Sequence, residues 1–312
     1  MDALTALLDG PRARGAFLLR SMLAPPWSLR IRDEAALAVA AVVRGTAWYV
    51  PDDGEPVAAG PGDVMVIRGP EHYTVADPPG TAPQIVIHPG QRCTTPAGED
   101  LAELLHLGVR TWGTAAEGPT LILTGAYQLD GEVSRRLLSA LPAVLVVPRE
   151  DWDTPLVALL AEEIAKDRPG QEAVLDRLLD LMLITALRTW LARPGSGAPG
   201  WYRAQSDDVV GPALQLLHHN PAHPWTVAEL AVKVGVSRAL LARRFTDLVG
   251  EPPMAYLTGW RLALAADLLL EPAATLAAVA RRVGYGSAFA LSAAFKRVRG
   301  VSPQGHREQY GP

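Results

Sequence analysis

The chain contains one segment written twice, and that repeat constrains its fold more than any other feature. Thr226–Gly250 reads TVAELAVKVGVSRALLARRFTDLVG, and Thr275–Gly300 reads TLAAVARRVGYGSAFALSAAFKRVRG. The opening Thr, the Ala at 231 and 280, the Val-Gly pair, the Phe and the closing Gly recur. The offset is 49 residues before the turn and 50 after it, so the second copy carries one extra residue there; Pro253 and Pro303 extend the match. Each copy has the mechanics of two short helices joined by a tight turn. Thr226 and Thr275 can cap the first helix, and Ser237 and Ser287 the second. Gly235 and Gly284 end the first helix where a positive φ is needed. Ala231 and Ala280 are small enough for the helices to cross closely. Leu241, Phe245, Leu291 and Phe295 are expected to anchor the second helices in a core. Between the copies, about 254–270 reads as a helix with Tyr256, Leu264, Ala265, Leu268 and Leu269 in its apolar positions. A single helical hairpin is common. Two in tandem, with the same anchors, point to paired helix-turn-helix units, whose second helices enter a major groove.

Charge supports the division. The whole chain of 312 residues has a net charge of −4, but residues 203–312 carry 12 Lys+Arg against 8 Asp+Glu, leaving −8 on the remainder. Such asymmetry suggests an acidic body joined to a more basic module. Pro194–Gly200 (PGSGAPG) reads as a linker between them.

The first half is written differently. Ser28–Arg32 alternates polar and apolar residues, as a half-buried strand does. Strand-like runs follow at 45–50, 64–67, 73–75, 84–88 and 120–124, with turn clusters at 52–54, 60–63 and 77–80. Ala35–Val43 reads as helix or strand, and so does Phe17–Leu23. This spacing predicts an antiparallel sandwich or barrel. Beyond Leu129 the pattern turns helical, with helices expected over 132–141, 156–166 and 171–191; a short helix over 2–8 is also compatible. The helix over 171–191 carries a wide apolar stripe, suited to packing on the strands or to a dimer seam.

From Pro224 to Arg307 the chain resembles the AraC/XylS DNA-binding domain, through WTVAELA, VGVSRALLARRF, GEPPMAYL, RLALAADLLL, VARRVGYGSAF and AFKRVRGVSPQGHR. The resemblance implies two recognition helices in successive major-groove segments roughly 34 Å apart. Counted back from Phe245, Arg238, Ala239, Ala242 and Arg243 face outward, and Arg243 falls on a base-contacting position of the family. Arginine there can bond guanine O6 and N7 in a bidentate way. Ser237, Arg238 and Arg244 suit phosphates or local packing. Counted back from Phe295, the second unit presents Ala288, Phe289, Ser292 and Ala293. These short or apolar side chains can touch a thymine methyl but not bond a base edge twice. That unit is therefore expected mostly to position the protein, with Ser287, Lys296, Arg297, Arg299 and Arg307 as phosphate candidates.

The strand-rich half is similar to the cupin domain found ahead of such a DNA module, through Trp27–Arg30, Gly45–Trp48 and PGDVMVIRGPEH over 61–72; 141–145 and 187–191 resemble that group's helical tail. Metal-dependent cupins use a His-x-His pair with a Glu and a later His. Here 35–50 holds no His and one would-be ligand remains, His72, so no metal, cofactor or catalytic residue is expected. Trp27, Arg30, Trp48, Tyr49, His72 and His88 are the candidates for contacting a small effector. Cys93, the one cysteine, excludes an internal disulfide and reads as inert. His218, His219 and His223 read as capping and packing rather than a metal cluster.

The expected fold is therefore α+β in two domains. An N-terminal antiparallel cupin-like β-barrel (1–130) carries a helical dimerisation or packing tail (131–193), and a linker (194–206) leads to an all-α tandem helix-turn-helix domain (207–312). The expected function is sequence-specific transcription regulation under a small-molecule effector, with promoter DNA, a second copy bound through 171–191 and RNA polymerase as partners. The N-terminus lacks a signal-peptide pattern and no apolar run spans a bilayer, so a cytoplasmic location is expected. A cupin-type enzyme fused to DNA-binding helices, or a constitutive regulator whose barrel is only a dimerisation scaffold, are the alternatives.

Overall fold

The computed structural model describes residues 17–127, 138–152, 154–193 and 195–310. The helices expected over 2–8 and over most of 132–141 lie outside these residues. The described residues divide into two compact units, one of 17–127 and 141–196 and the other of 138–140 and 197–310.

The first unit is built on two sheets. Thirteen strands supply them: β1 (Phe17–Leu23), β2 (Trp27–Ile31), β3 (Leu37–Arg44), β4 (Ala47–Pro51), β5 (Val57–Ala59), β6 (Val64–Arg68), β7 (Tyr73–Asp77), β8 (Ile85–Ile87), β9 (Cys93–Thr94), β10 (His106–Gly108), β11 (Thr111–Gly113), β12 (Thr120–Tyr127) and β13 (Val144–Val147). One sheet runs β10-β11-β1-β12-β3-β6-β13 and the other β5-β4-β7-β2-β8-β9. Pairing is antiparallel except β1 with β11 and β2 with β8. The two ambiguous segments, 17–23 and 35–43, are both strands. In β3 the side chains from Leu37 to Val42 are all buried, so its two faces both read as apolar and the period-2 signal disappears. The sheets are not joined into one closed barrel. Their edges end in β5, β9, β10 and β13, which have two to four residues each and are too short to carry a ladder round.

Inward side chains of both sheets form one core, including Trp27, Leu29, Ile31, Tyr49, Met65, Ile67 and Ile122. Burying such side chains contributes about 1.5–3 kcal/mol each before entropy is counted. The indole N–H of Trp27 donates to Thr120 Oγ1 at 3.3 Å, tying the six-stranded sheet to β12. Helices α1 (Ala102–Leu105), α2 (Leu156–Glu163) and α3 (Gln171–Ala192) complete the unit. Helix α3 packs closely enough that a Cβ on Gly125 of β12 would meet the methyl groups of Leu179 at 2.4–2.5 Å. A Cβ there would force the buried Leu179 side chain to shift, so a glycine in the middle of the strand keeps the approach close.

The second unit is helical: α4 (Gly200–Arg203), α5 (Val210–His219), α6 (Val227–Lys233), α7 (Arg238–Val249), α8 (Pro253–Leu269), α9 (Leu276–Arg282), α10 (Ala288–Arg299) and α11 (Pro303–Tyr310). Helix α8 is buried on several sides through Tyr256, Leu257, Trp260, Leu262, Ala265 and Leu269. It forms the spine between the two repeats. No helix among the described residues is long and apolar enough to cross a membrane.

Candidate nucleic-acid interface

The two copies of the repeat fold alike, residue by residue. Thr226 Oγ1 accepts from the amide of Glu229 at 3.1 Å, and Thr275 Oγ1 from Ala278 at 3.2 Å. Ser237 Oγ accepts from Leu240 at 3.2 Å and Ser287 Oγ from Ala290 at 3.1 Å. Each cap satisfies one amide that a helix start leaves without a partner. Gly235 and Gly284 take φ values of +74° and +83°. The next residues, Val236 and Tyr285, donate back to Ala231 and Ala280 at 3.0 and 2.8 Å. These two bonds align the turns and identify Gly286 as the inserted residue. Leu241, Phe245, Leu291 and Phe295 are fully buried, so α7 and α10 are each held by one face and offer the other.

The offered faces differ. On α7, Arg238, Ala239 and Arg243 are exposed and Ala242 is half-buried. On α10, Ala293 is exposed, Ala288 and Ser292 are half-buried, and Phe289 is 83% exposed. A phenylalanine this bare is unusual on a helix whose other aromatic, Phe295, is fully buried. Lys296 and Arg297 follow it as exposed cations. The Ser237 and Ser287 oxygens accept at their caps, which leaves each O–H able to donate.

Four further arginines are tied into the helical unit. Arg244 forks onto Asp207 Oδ2 through Nε at 2.9 Å and Nη2 at 2.6 Å. Asp207 Oδ1 accepts the amides of Val209 and Val210 at 3.0 and 2.9 Å, so one carboxylate joins the start of α5 to α7. Partial burial works to raise this carboxyl; the Val210 and Val209 amides and Arg244 outweigh it and hold the group below the ordinary carboxylate value. Arg299 lies over the Phe295 ring at 5.4 Å. Arg307 gives Nε and Nη2 to the carbonyl oxygens of Leu269 and Ala274, fixing the segment ahead of the second repeat. Arg261 does the same ahead of the first, donating to Pro221 O and His223 O at 2.6 Å each. Asp207 and Arg261 were not singled out from sequence; their partners are 37 and about 40 residues away, and no local signal marks them.

Two of the three histidines before the first repeat make side-chain contacts, and His219 is exposed. His218 is buried and shares a 2.8 Å hydrogen bond with Tyr256 OH, and His223 one of 2.8 Å with Glu229 Oε1. Among the described residues no group of three or more His, Cys, Asp or Glu is placed to hold a metal.

In the first unit, the six residues expected to contact an effector are not brought together. Arg30 and Trp48 alternate with inward Leu29, Ile31, Ala47 and Tyr49, so they point to the opposite face of their sheet. Arg30 is held by a fork to Asp52, at 2.5 and 2.7 Å. Its hydrogen bond keeps the Asp52 carboxyl below the usual range. His72 is exposed, and His88 bonds Thr94 Oγ1 at 2.9 Å. Trp27 and Tyr49 are core residues, the Tyr49 ring tilted against that of Tyr73 with centroids 5.1 Å apart. A cavity does lie between the sheets, and none of the six is among its described lining residues. It exists because Ser21, Ala38, Ala40, Thr124 and Ala126 place small inward side chains side by side on β1, β12 and β3. Register sets Thr124 opposite Ala40 and Ala126 opposite Ala38, where Leu or Ile would fill a sandwich about 10 Å thick.

Comparison with known proteins assigns both units. A family described as Cupin matches residues 2–192, and one described as a helix-turn-helix domain matches 230–309. An AraC-like transcription regulator of Streptomyces lividans is 33% identical over 99% of this chain and 98% of its own. One from Streptomyces antibioticus is 34% identical over the whole length of both. Among solved structures, the DNA-binding domain of AdpA in complex with a target DNA is 30% identical, over 34% of this chain and 94% of that one, with a TM-score of 0.32.

Proposed function

Because the chain belongs to the AraC-type DNA-binding transcription regulators that carry an N-terminal cupin domain, we propose that it reads promoter DNA asymmetrically. The observation that carries this reading is the pair of equivalent helices with unlike exposed faces. Helix α7 offers Arg238 and Arg243, and α10 offers Phe289 with Lys296 and Arg297 behind it. Arg243 specifies bases in one half-site. Phe289 meets a thymine methyl or the sugar edge in the other, while Lys296 and Arg297 hold phosphates. Arg244, Arg299 and Arg307 act by holding the helices in place, since their guanidinium groups already have partners or a ring to cover, and the Ser237 and Ser287 oxygens cap those helices.

The N-terminal unit has a regulatory role rather than an enzymatic one. A small effector bound in it shifts the balance between two states of the regulator, by no more than its difference in affinity for them. A second copy docks on α3, where Val174, Leu178 and Leu181 follow a four-then-three spacing on the helix and Val174 and Leu181 are 46% and 48% exposed. RNA polymerase is the further partner that regulation of transcription implies, and the cytoplasm is the compartment where all of these meet. A base-by-base substitution of the bound site tests the reading. Arg243→Ala should relax preference at one or two adjacent positions in one half-site only. Loss spread evenly over both halves would refute it.

A further inference from the structure

The inter-sheet cavity continues toward the β10–β11 hairpin into a second hollow, and Leu19, Ile87, Gln91 and Trp112 line both. Two donors without acceptors line the outer hollow, and one of them, Trp112, lines the inner chamber as well. Trp112 is 7% exposed and its indole N–H has no hydrogen-bond partner among the described residues. Arg110, two residues earlier and lining the outer hollow, has a buried Nη1 that is likewise unpartnered. Leaving such groups desolvated and unpaired is costly, more so for a charge. Arg110 also takes a φ of +47°, a backbone conformation that favours glycine. The chain thus keeps an arginine where glycine would be less strained, in the way strain gathers at ligand sites.

Charge in the hollow is divided. The inner chamber's one carboxylate among the described residues, Asp33, is engaged by the amide of Ala35 at 3.1 Å and by Gln91 Nε2 at 3.4 Å. His106 and Cys93 also line the outer hollow. The remaining inner wall is apolar apart from the hydroxyls of Ser21, Tyr73 and Thr124. We propose that this cavity takes a compact apolar organic anion, such as a short-chain or aromatic carboxylate, with its body among the small side chains of β1, β12 and β3 and its head received by Arg110 and Trp112. This rests on the reading that an effector binds in the N-terminal unit, and adds its chemical class and the residues that select it.

Calorimetric titration of the full-length protein with hexanoate and with 1-hexanol tests it. The expected result is at least tenfold tighter binding of hexanoate. Arg110→Gln should erase that preference and Arg110→Lys should restore part of it. Ala40→Leu, or the smaller intrusion Ala126→Val, should weaken both compounds by filling the chamber. Equal affinity for the two compounds, or a preference that survives Arg110→Gln, overturns the head-group assignment while leaving an apolar effector possible. No binding of either compound overturns the proposal. The wider effector reading is tested separately by promoter output in cells: it falls if both cavity-filling variants regulate as the parent does.

Discussion

Asp207 joins two helices through one carboxylate, and removing it should have a divisible cost. The oxygen that accepts the Val209 and Val210 amides acts as a helix-start cap, worth about 1 kcal/mol. The pair with Arg244 has one partner 13% exposed and the other 44%, so it contributes at most about 1 kcal/mol. Asp207→Ala should therefore destabilise the second unit by about 2 kcal/mol and Arg244→Ala by about 1 kcal/mol, with the double variant close to Asp207→Ala alone. Hydrogen exchange of the amides in 210–219 and 238–249 reads this locally. Exchange should accelerate by roughly 30-fold and 5-fold, since each 1.4 kcal/mol is a factor of ten. Arg244→Ala should also leave the salt dependence of DNA binding unchanged, because its charge is already paired within the protein. The reasoning is refuted if Arg244→Ala lowers the salt slope by about 0.9, as loss of a phosphate contact does, or if the two single effects simply add.

Other outcomes follow from the same geometry. Lys296→Ala should weaken binding to all sequences about equally and lower the salt slope by about one unit, measured by fluorescence anisotropy across a salt series. Arg243→Ala should cost about 1–3 kcal/mol on the preferred site and far less on unrelated DNA. Phe295→Ala, which empties a fully buried anchor, should destabilise the second unit by about 3–5 kcal/mol in a denaturant titration. The Asp207 carboxyl is lower in the folded state than unfolded, so its stabilisation is complete above about pH 4 and disappears as pH falls through the folded value; Asp207→Ala should flatten that part of the stability–pH curve. Burial, with the nearby Asp100 charge, raises the Cys93 thiol. Alkylation by iodoacetamide, followed by mass spectrometry, should be slower at pH 7.5 than for a free thiol and should rise steeply above pH 9.

The repeat was legible because its determinants are local. A cap reaches three residues, a turn glycine acts on its own φ, and Phe245 and Phe295 follow their caps at a fixed spacing. The helix-turn-helix units therefore match the reading of Thr226–Gly250 and Thr275–Gly300 down to the extra residue at Gly286. Strand β3 was not legible as a strand, since burial on both faces removes the alternation that marks one. The cavity was not legible either. Ala38, Ala40 and Ala126 look like ordinary small residues until register sets them beside one another. Aromatic and charged residue types suggested Arg30 and Trp48 as effector contacts, but the pleat turns both away from the inter-sheet space. Arg244 had two open readings, phosphate or local packing, because its partner Asp207 is 37 residues distant.

Selection of binding sites from random duplex DNA by the full-length protein is the most direct test of the central claim. The account predicts enrichment of a bipartite site, with elements about one helical turn apart. Guanine-rich information should be concentrated in the half read by Arg243, and the half beneath Phe289 should be weaker and thymine-containing. Failure to enrich any sequence over repeated rounds at low and moderate salt would contradict DNA recognition by this fold. Equal information in both halves would contradict the asymmetry that the two exposed helix faces impose.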